Sequence, residues 1–340
     1  MFEHKKNLLY LQKALLDFEL NLKGLKIFTE IASGSYQYTS IACLLAKADV
    51  VYGISKDSSY GKKEDIISDV FKIAEQFNVS DRLVSVSSKD RDYISECDII
   101  TNSGFVRPID RKTISYMKST AVIPLMFECW EFNNEHLNLD ACKENDIVVV
   151  GVNEHHPLLD LFSIFPYKIC KLLFDANMSI YNNKILLISS GEVGDLIGKT
   201  FSKNDIYFDR ISFDWNLISY PELSKYDVII VAELYHKDID IISEHGFIST
   251  KQLKEVNPLI QIVYSYGSIN RDDIHKNNLA LYPEDDRNII GDYLSSEIPI
   301  RLNVASLKVG EIISRYRLKG MSIKEILEFV KNNNLVDGMV

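Results

Sequence analysis

ILLISSGEVGDLIG, residues 185–198, runs from branched apolar residues through a small-residue turn into a helical pattern. A strand, a tight turn and a helix start are what a dinucleotide site requires. Small residues let the backbone approach a pyrophosphate, and the helix N-terminus faces its negative charge. The glycine fingerprint of such a turn falls on positions 189, 191 and 194, occupied here by Ser189, Gly191 and Gly194, with Glu192 and Val193 between them. These five residues are the expected pyrophosphate cradle. An acid is also expected at the end of the next strand, where it binds the adenosine ribose hydroxyls. Asp214, twenty residues beyond Gly194, fills that role. Its carboxylate would repel a 2′-phosphate, so the pattern predicts NAD rather than NADP. The competing reading is a strand-to-helix turn that has lost its ligand.

Outward from this turn, short β-rich runs alternate with helical patterns. Before it, strands are expected at 25–29, 50–54, 83–86, 98–102, 121–126 and 147–152, with helices near 39–47, 63–77, 110–118 and 137–144. Beyond residue 183, strands are expected at 184–189, 206–213, 227–232 and 259–265. A long apolar helical segment at 157–176, interrupted by Pro166, joins the two series, and helices at 304–317 and 322–333 close the chain. Strands alternating with helices mean βαβ units. The expected fold class is therefore α/β, with two doubly wound parallel-sheet domains and a cleft between them. The first covers 1–156 and is completed by the helices at 304–340; the second covers 157–303.

The 340 residues suit two domains of roughly 150 residues each. With 46% apolar and 25% charged residues the chain has the composition of a folded globular protein. No apolar run approaches the roughly 20 residues of a membrane span. The first twenty residues read as an amphipathic helix, not a signal peptide. The net charge of −10, with no basic cluster, argues against a nucleic-acid partner. Five widely spaced cysteines without a CxxC pair read as reduced thiols in a cytoplasmic protein.

Four stretches are similar to the D-isomer-specific 2-hydroxyacid dehydrogenases: CDIITNSGFVRPIDRKTISYMKSTAVIPLM (97–126), HLNLDACKENDIVVVGVNE (136–154), the glycine turn, and the run from Tyr226 through IQIVYSYGSI (260–269). The resemblance implies a flavodoxin-like first domain, a Rossmann second domain that binds NAD, a small-molecule substrate and a homodimer paired through the nucleotide domains. It also exposes departures. Tyr266 stands where that family places the arginine that holds the substrate carboxylate. Asn303 stands in the stretch that would carry its catalytic histidine.

Ligands of open α/β sheets bind at the carboxyl ends of strands. Polar groups follow strands at 33–36, 57–61, 101–104, 128–131 and 153–156. Glu128 and Glu131 flank Trp130 and suit an amine, sugar hydroxyls or a general acid; the other reading is a capping turn with a packed indole. His155 and His156 are candidate proton donors to a carbonyl, or caps of a helix beginning at Pro157. In the second domain His236 and Tyr266 are further candidates, and Lys308 could meet an anion. No metal site is expected, since adjacent side chains such as Glu154, His155 and His156 seldom point at one ion. The sequence thus reads as an NAD-dependent oxidoreductase acting on a hydroxyl or carbonyl of a polar small metabolite through unusual catalytic residues. The alternatives are a binding or scaffold protein that keeps the fold, and a hydrolase or lyase using bound NAD as adenosylhomocysteine hydrolase does. The opening LKGLKIFTEIASGSYQYTS loosely resembles the latter.

Overall fold

Runs of Val, Ile and Leu bounded by Asp, Lys or Gly become strands, and amphipathic stretches between them become helices. The computed structural model describes residues 2–284, 291 and 293–339. It divides into two units, Met1–Asp160 with Ser295–Val340, and Leu161–Leu294. In chain order the first unit holds α1 (Phe2–Asp17), β1 (Lys26–Glu30), α2 (Tyr38–Leu45), β2 (Val50–Ile54), α3 (Lys63–Gln76) and β3 (Leu83–Val86). It continues with α4 (Arg91–Ile94), β4 (Ile99–Ile100), α5 (Arg111–Ile114), β5 (Val122–Pro124), α6 (Leu139–Glu144) and β6 (Val148–Val152). The second unit holds α7 (Phe165–Asp175), β7 (Ile185–Ile188), α8 (Gly191–Lys203), β8 (Phe208–Ile211), β9 (Val228–Ala232), β10 (Asp240–Ser243) and β11 (Ile248–Ser249). It ends with α9 (Thr250–Val256), β12 (Gln261–Tyr266), β13 (Ser268–Ile269), α10 (Arg271–Lys276) and β14 (Ala280–Tyr282). The chain then returns to the first unit as α11 (Glu297–Leu318), α12 (Ile323–Val330) and β15 (Val336–Met339).

Both units are α/β with mainly parallel sheets. Among the described residues the first unit's sheet has the order β3-β2-β1-β4-β5-β6-β15, all parallel except β15, which pairs antiparallel with β6. The main sheet of the second unit has the order β8-β7-β9-β12-β14, and β11-β10-β13 form a small separate sheet. Every residue of β6, β7 and β9 is buried. That explains their unbroken apolar runs, because helices cover both faces of a parallel sheet. The two faces divide by alternation. Leu186, Ile188, Ile229 and Val231 join one core, while Ile185, Leu187, Val228 and Ile230 join the other.

Three expectations change. The segment 157–176 is not one helix: turns and a 3-10 segment precede α7, and Pro166 lies in the first turn of α7, where its missing N–H costs nothing. The terminal helix begins at Glu297 rather than 304, so Pro299 also lies in a first turn. The short strands β10, β11, β13, β14 and β15 have too little alternation to be seen in sequence.

Helix α11 packs on β4 and β5. A Cβ at Gly310 would fall 3.0 Å from Pro124 Cγ and 3.2 Å from Ile99 Cδ1. Gly310→Val is therefore expected to lower stability by about 1–3 kcal/mol through overpacking, measured by denaturant titration. An unchanged midpoint would contradict this packing.

Candidate functional site

In the second unit, β7 lies between β8 and β9, so the connections from β7 and β9 leave in opposite directions. Their carboxyl ends bound the crevice where open α/β sheets bind ligands. The 189–194 turn sits there. Ser189 is fully buried and its hydroxyl donates to Ala232 O at 2.7 Å, so the side chain is drawn to the end of β9. Ser190 donates to the buried Glu233 carboxylate at 2.5 Å, and the other Glu233 oxygen accepts the N–H groups of Tyr235 and His236. Gly191 has φ +54°, a left-handed conformation that glycine adopts without strain.

Gly194 has a different role from the one expected. A Cβ there would lie 2.5 Å from Ser189 O and would collide with the Arg210 guanidinium. The glycine permits the close approach of α8 to the end of β7; it does not face open space for a phosphate. Arg210 in turn braces the turn, donating from Nε to Ser189 O at 2.8 Å and from Nη2 to Gly191 O at 3.2 Å. Val193 is a core residue, and Glu192 is exposed in the first turn of α8.

Asp214 reaches the same turn. Its Oδ2 accepts the Gly191 N–H at 2.7 Å, and its Oδ1 lies 2.8 Å from His236 Nε2. The His236 imidazole and the Gly191 N–H hold the Asp214 carboxyl below the usual range. His236 is thus engaged with Asp214 through one ring nitrogen. The Tyr235 ring lies over Gly191, 2.7 Å from where a Cβ would stand. The site combines a glycine turn with positive φ, a helix N-terminus and one acid, Asp214, which takes the Gly191 N–H.

Along the same strand ends, Tyr266 is the last residue of β12, and its carbonyl accepts the Glu233 N–H. Lys168 of α7 is buried, with Nζ 3.2 Å from Tyr266 Oη and 4.3 Å from the ring centroid. Burial pushes its ammonium down to about 8. Sequence reasoning alone misses Lys168. The available signal is a lysine among the buried positions Pro166, Ile169 and Leu172 of one helix.

Several candidates of the first unit are hydrogen-bonded within it. Glu128 is buried; one oxygen accepts Trp130 Nε1 at 2.7 Å and the other accepts the Glu154 N–H at 3.1 Å. Glu128 thus ties the 128–131 turn to the 153–156 turn. Asp337 of β15 accepts the Cys129 N–H at 2.7 Å. Burial, then repulsion from Glu131, Glu128 and Asp337, pushes Glu154 up to about 9. The His155 N–H donates to Asn153 Oδ1, and His156 Nδ1 accepts the Leu158 N–H at 3.2 Å. No helix begins at Pro157, so the two histidines shape a turn. Burial lowers His156. Asn303 is buried within α11 and donates to Pro299 O; Lys308 is held by Glu311 and by Glu19 O. The polar runs 33–36 and 101–104 do come together, at the ends of β1 and β4, the corresponding switch of this sheet.

No protein-family model matches the chain, and no curated protein matches it. Among solved structures it is similar to a dipicolinate synthase subunit from Bacillus halodurans, with TM-score 0.55 and 10% identity over 86% of this chain and 99% of that one. It is also similar to a D-isomer specific 2-hydroxyacid dehydrogenase from Lactobacillus delbrueckii ssp. bulgaricus in NAD complexed form, with TM-score 0.43 and 14% identity over 87% and 98% of the chains. A D-lactate dehydrogenase from Treponema pallidum matches with TM-score 0.46 and 10% identity over 87% and 97%. The first of these similarities shows a shared fold.

The Glu154 environment has a measurable consequence. Unfolded, this carboxyl loses its proton near the ordinary 4.5; folded, it keeps it to about 9. The folded state holds the extra proton across that window, so this group's contribution to stability falls as pH rises from about 4.5 to about 9. Glu154→Gln is expected to raise the melting temperature at about pH 8 and leave it unchanged at about pH 4. An equal shift at both pH values would contradict the assignment.

Proposed function

We propose that the chain is an NAD-dependent oxidoreductase acting on a hydroxyl or carbonyl carbon of a polar small metabolite. The observation that carries the reading is the placement of Asp214 on the glycine turn, with its carboxylate on the Gly191 N–H. An acid there is within reach of a ribose lying along the turn, as the dinucleotide sites of this fold class require. Ser189, Gly191, Glu192, Val193 and Gly194 would form the pyrophosphate segment, through backbone groups and the α8 N-terminus. NAD, when bound, supplies the hydride acceptor or donor.

A proton must move with the hydride, and we assign it to Lys168 and Tyr266 in place of His155, His156, His236, Glu128 and Glu131. Lys168 donates to the phenol oxygen, which leaves the phenol able to donate onward. With the amine near 8, the pair holds its proton below that pH and accepts one above it. Oxidation should therefore speed up as pH rises through about 8, and reduction should slow. Tyr235, packed against Gly191, favours the second reading, a binding protein closed to nucleotide.

Calorimetry separates the two. Wild-type protein should bind NAD saturably and NADP much more weakly, and Asp214→Ala should lose about tenfold or more of NAD affinity with the loss of hydrogen bonds to a charged acceptor. Absence of NAD heat at millimolar cofactor would leave the scaffold reading. Lys168→Met should lower turnover by about 10²–10⁴ and abolish the inflection near 8 in kcat. An inflection that persists in the variant would remove Lys168 from the proton path.

A further inference from the structure

In the first unit the strand order reverses between the parallel neighbours β1 and β4, and the loops that follow these strands meet there. The second loop carries Arg107, which is partly exposed. Its Nε donates to Asn102 Oδ1 at 2.9 Å. Asn102 is completely buried, and its Nδ2 has no hydrogen-bond partner among the described residues. The amide is thus held in the interior with its oxygen on the guanidinium, which fixes the plane of that group. The Phe127 ring stands 5.6 Å from the guanidinium carbon.

The terminal nitrogens of Arg107 donate to no protein acceptor among the described residues. That sets it apart from arginines that build this fold. Arg82 donates to Ala48 O and Leu44 O, Arg210 to Gly191 O and Asp195, and Arg317 to Ser119 O and Asp146. Each of these three places both terminal nitrogens on protein acceptors. Arg107 is oriented through its base, and the edge that pairs with planar anions is left unused.

Two lysines hold the backbone of this loop, and one of them, Lys89, is faced by Asp110. Lys56 donates to Arg107 O at 3.3 Å, and Lys89 donates to Val106 O at 3.1 Å and to Pro108 O. Glu30 is the carboxyl that acts on Arg107 through space. Its Oε2 accepts the Phe105 N–H at 3.0 Å, and burial pushes it up toward the neutral form.

We propose that Arg107, oriented by Asn102, is an anion-binding residue of the first unit and takes two oxygens of a carboxylate or phosphoryl group on a small metabolite. This deepens the function proposed above, on which it rests only for that metabolite being the substrate.

The test is made without nucleotide, so its failure and failure of the NAD reading are separate results. Malonate and inorganic phosphate are titrated into the full chain by calorimetry at constant ionic strength. At least one should bind saturably in the millimolar range; tighter malonate binding identifies a carboxylate, tighter phosphate binding a phosphoryl group. Arg107→Gln should lose about tenfold or more, and Arg107→Lys, which keeps the charge without the fork, about tenfold. Lys56→Ala, at an exposed position, should lose less than about threefold. If Arg107→Gln fails to fold, Arg107→Lys decides. No saturable binding of either anion by the wild type, or wild-type affinity in Arg107→Lys, overturns the proposal.

Discussion

The approach of α8 to the end of β7 at Gly194 is the contact on which the second unit's chemistry depends. With Ser189 O 2.5 Å from any Cβ at that position and the Arg210 guanidinium beside it, only glycine lets the helix start here. Once it starts, the Gly191 N–H faces the β7/β9 crevice, and Asp214 is drawn onto it. Arg210 reinforces the arrangement from β8, since a guanidinium bridging two carbonyls of one turn holds their relative positions. The backbone of the turn is therefore braced, while its Gly191 N–H is taken by Asp214 and lies under the Tyr235 ring.

The switch points of the two sheets carry different charged groups. In the second, the crevice gathers carboxylates: Glu233 is buried and satisfied by a hydroxyl and two N–H groups, and Asp214 sits on a helix N-terminus. In the first, a hydroxyl chain in which Thr101 bonds Thr29 at 2.8 Å and Ser103 at 2.9 Å lies next to Glu30, which burial moves toward neutrality. Anion binding by Arg107 is the role proposed for this crevice.

What can be read from sequence follows from range. The β7 turn, its glycines and Asp214 lie within about thirty residues and obey local geometric rules, so they are legible together. So are α3 and β2, at almost their observed limits. The role of Gly194 is hidden because a close approach to phosphate and a close approach to Arg210 leave the same signature in sequence. That of Glu128 is hidden because its partners depend on how the 128–131 and 153–156 turns meet. β15 is invisible: VDGM has a glycine, an aspartate and no alternation, and it is a strand only because β6 offers it an edge. Arg107 gives no signal either, since one arginine in a loop means nothing until its base is seen anchored and its fork unused.

Whether a dinucleotide lies on the 189–194 turn is decided by a crystal structure of the chain grown with NAD. Pyrophosphate oxygens should lie on backbone N–H groups at the start of α8 and adenosine ribose hydroxyls on Asp214, with the Tyr235 ring moved from its place over Gly191. A nucleotide bound elsewhere, or a turn with Asp214 still closed on Gly191 and His236, would contradict it.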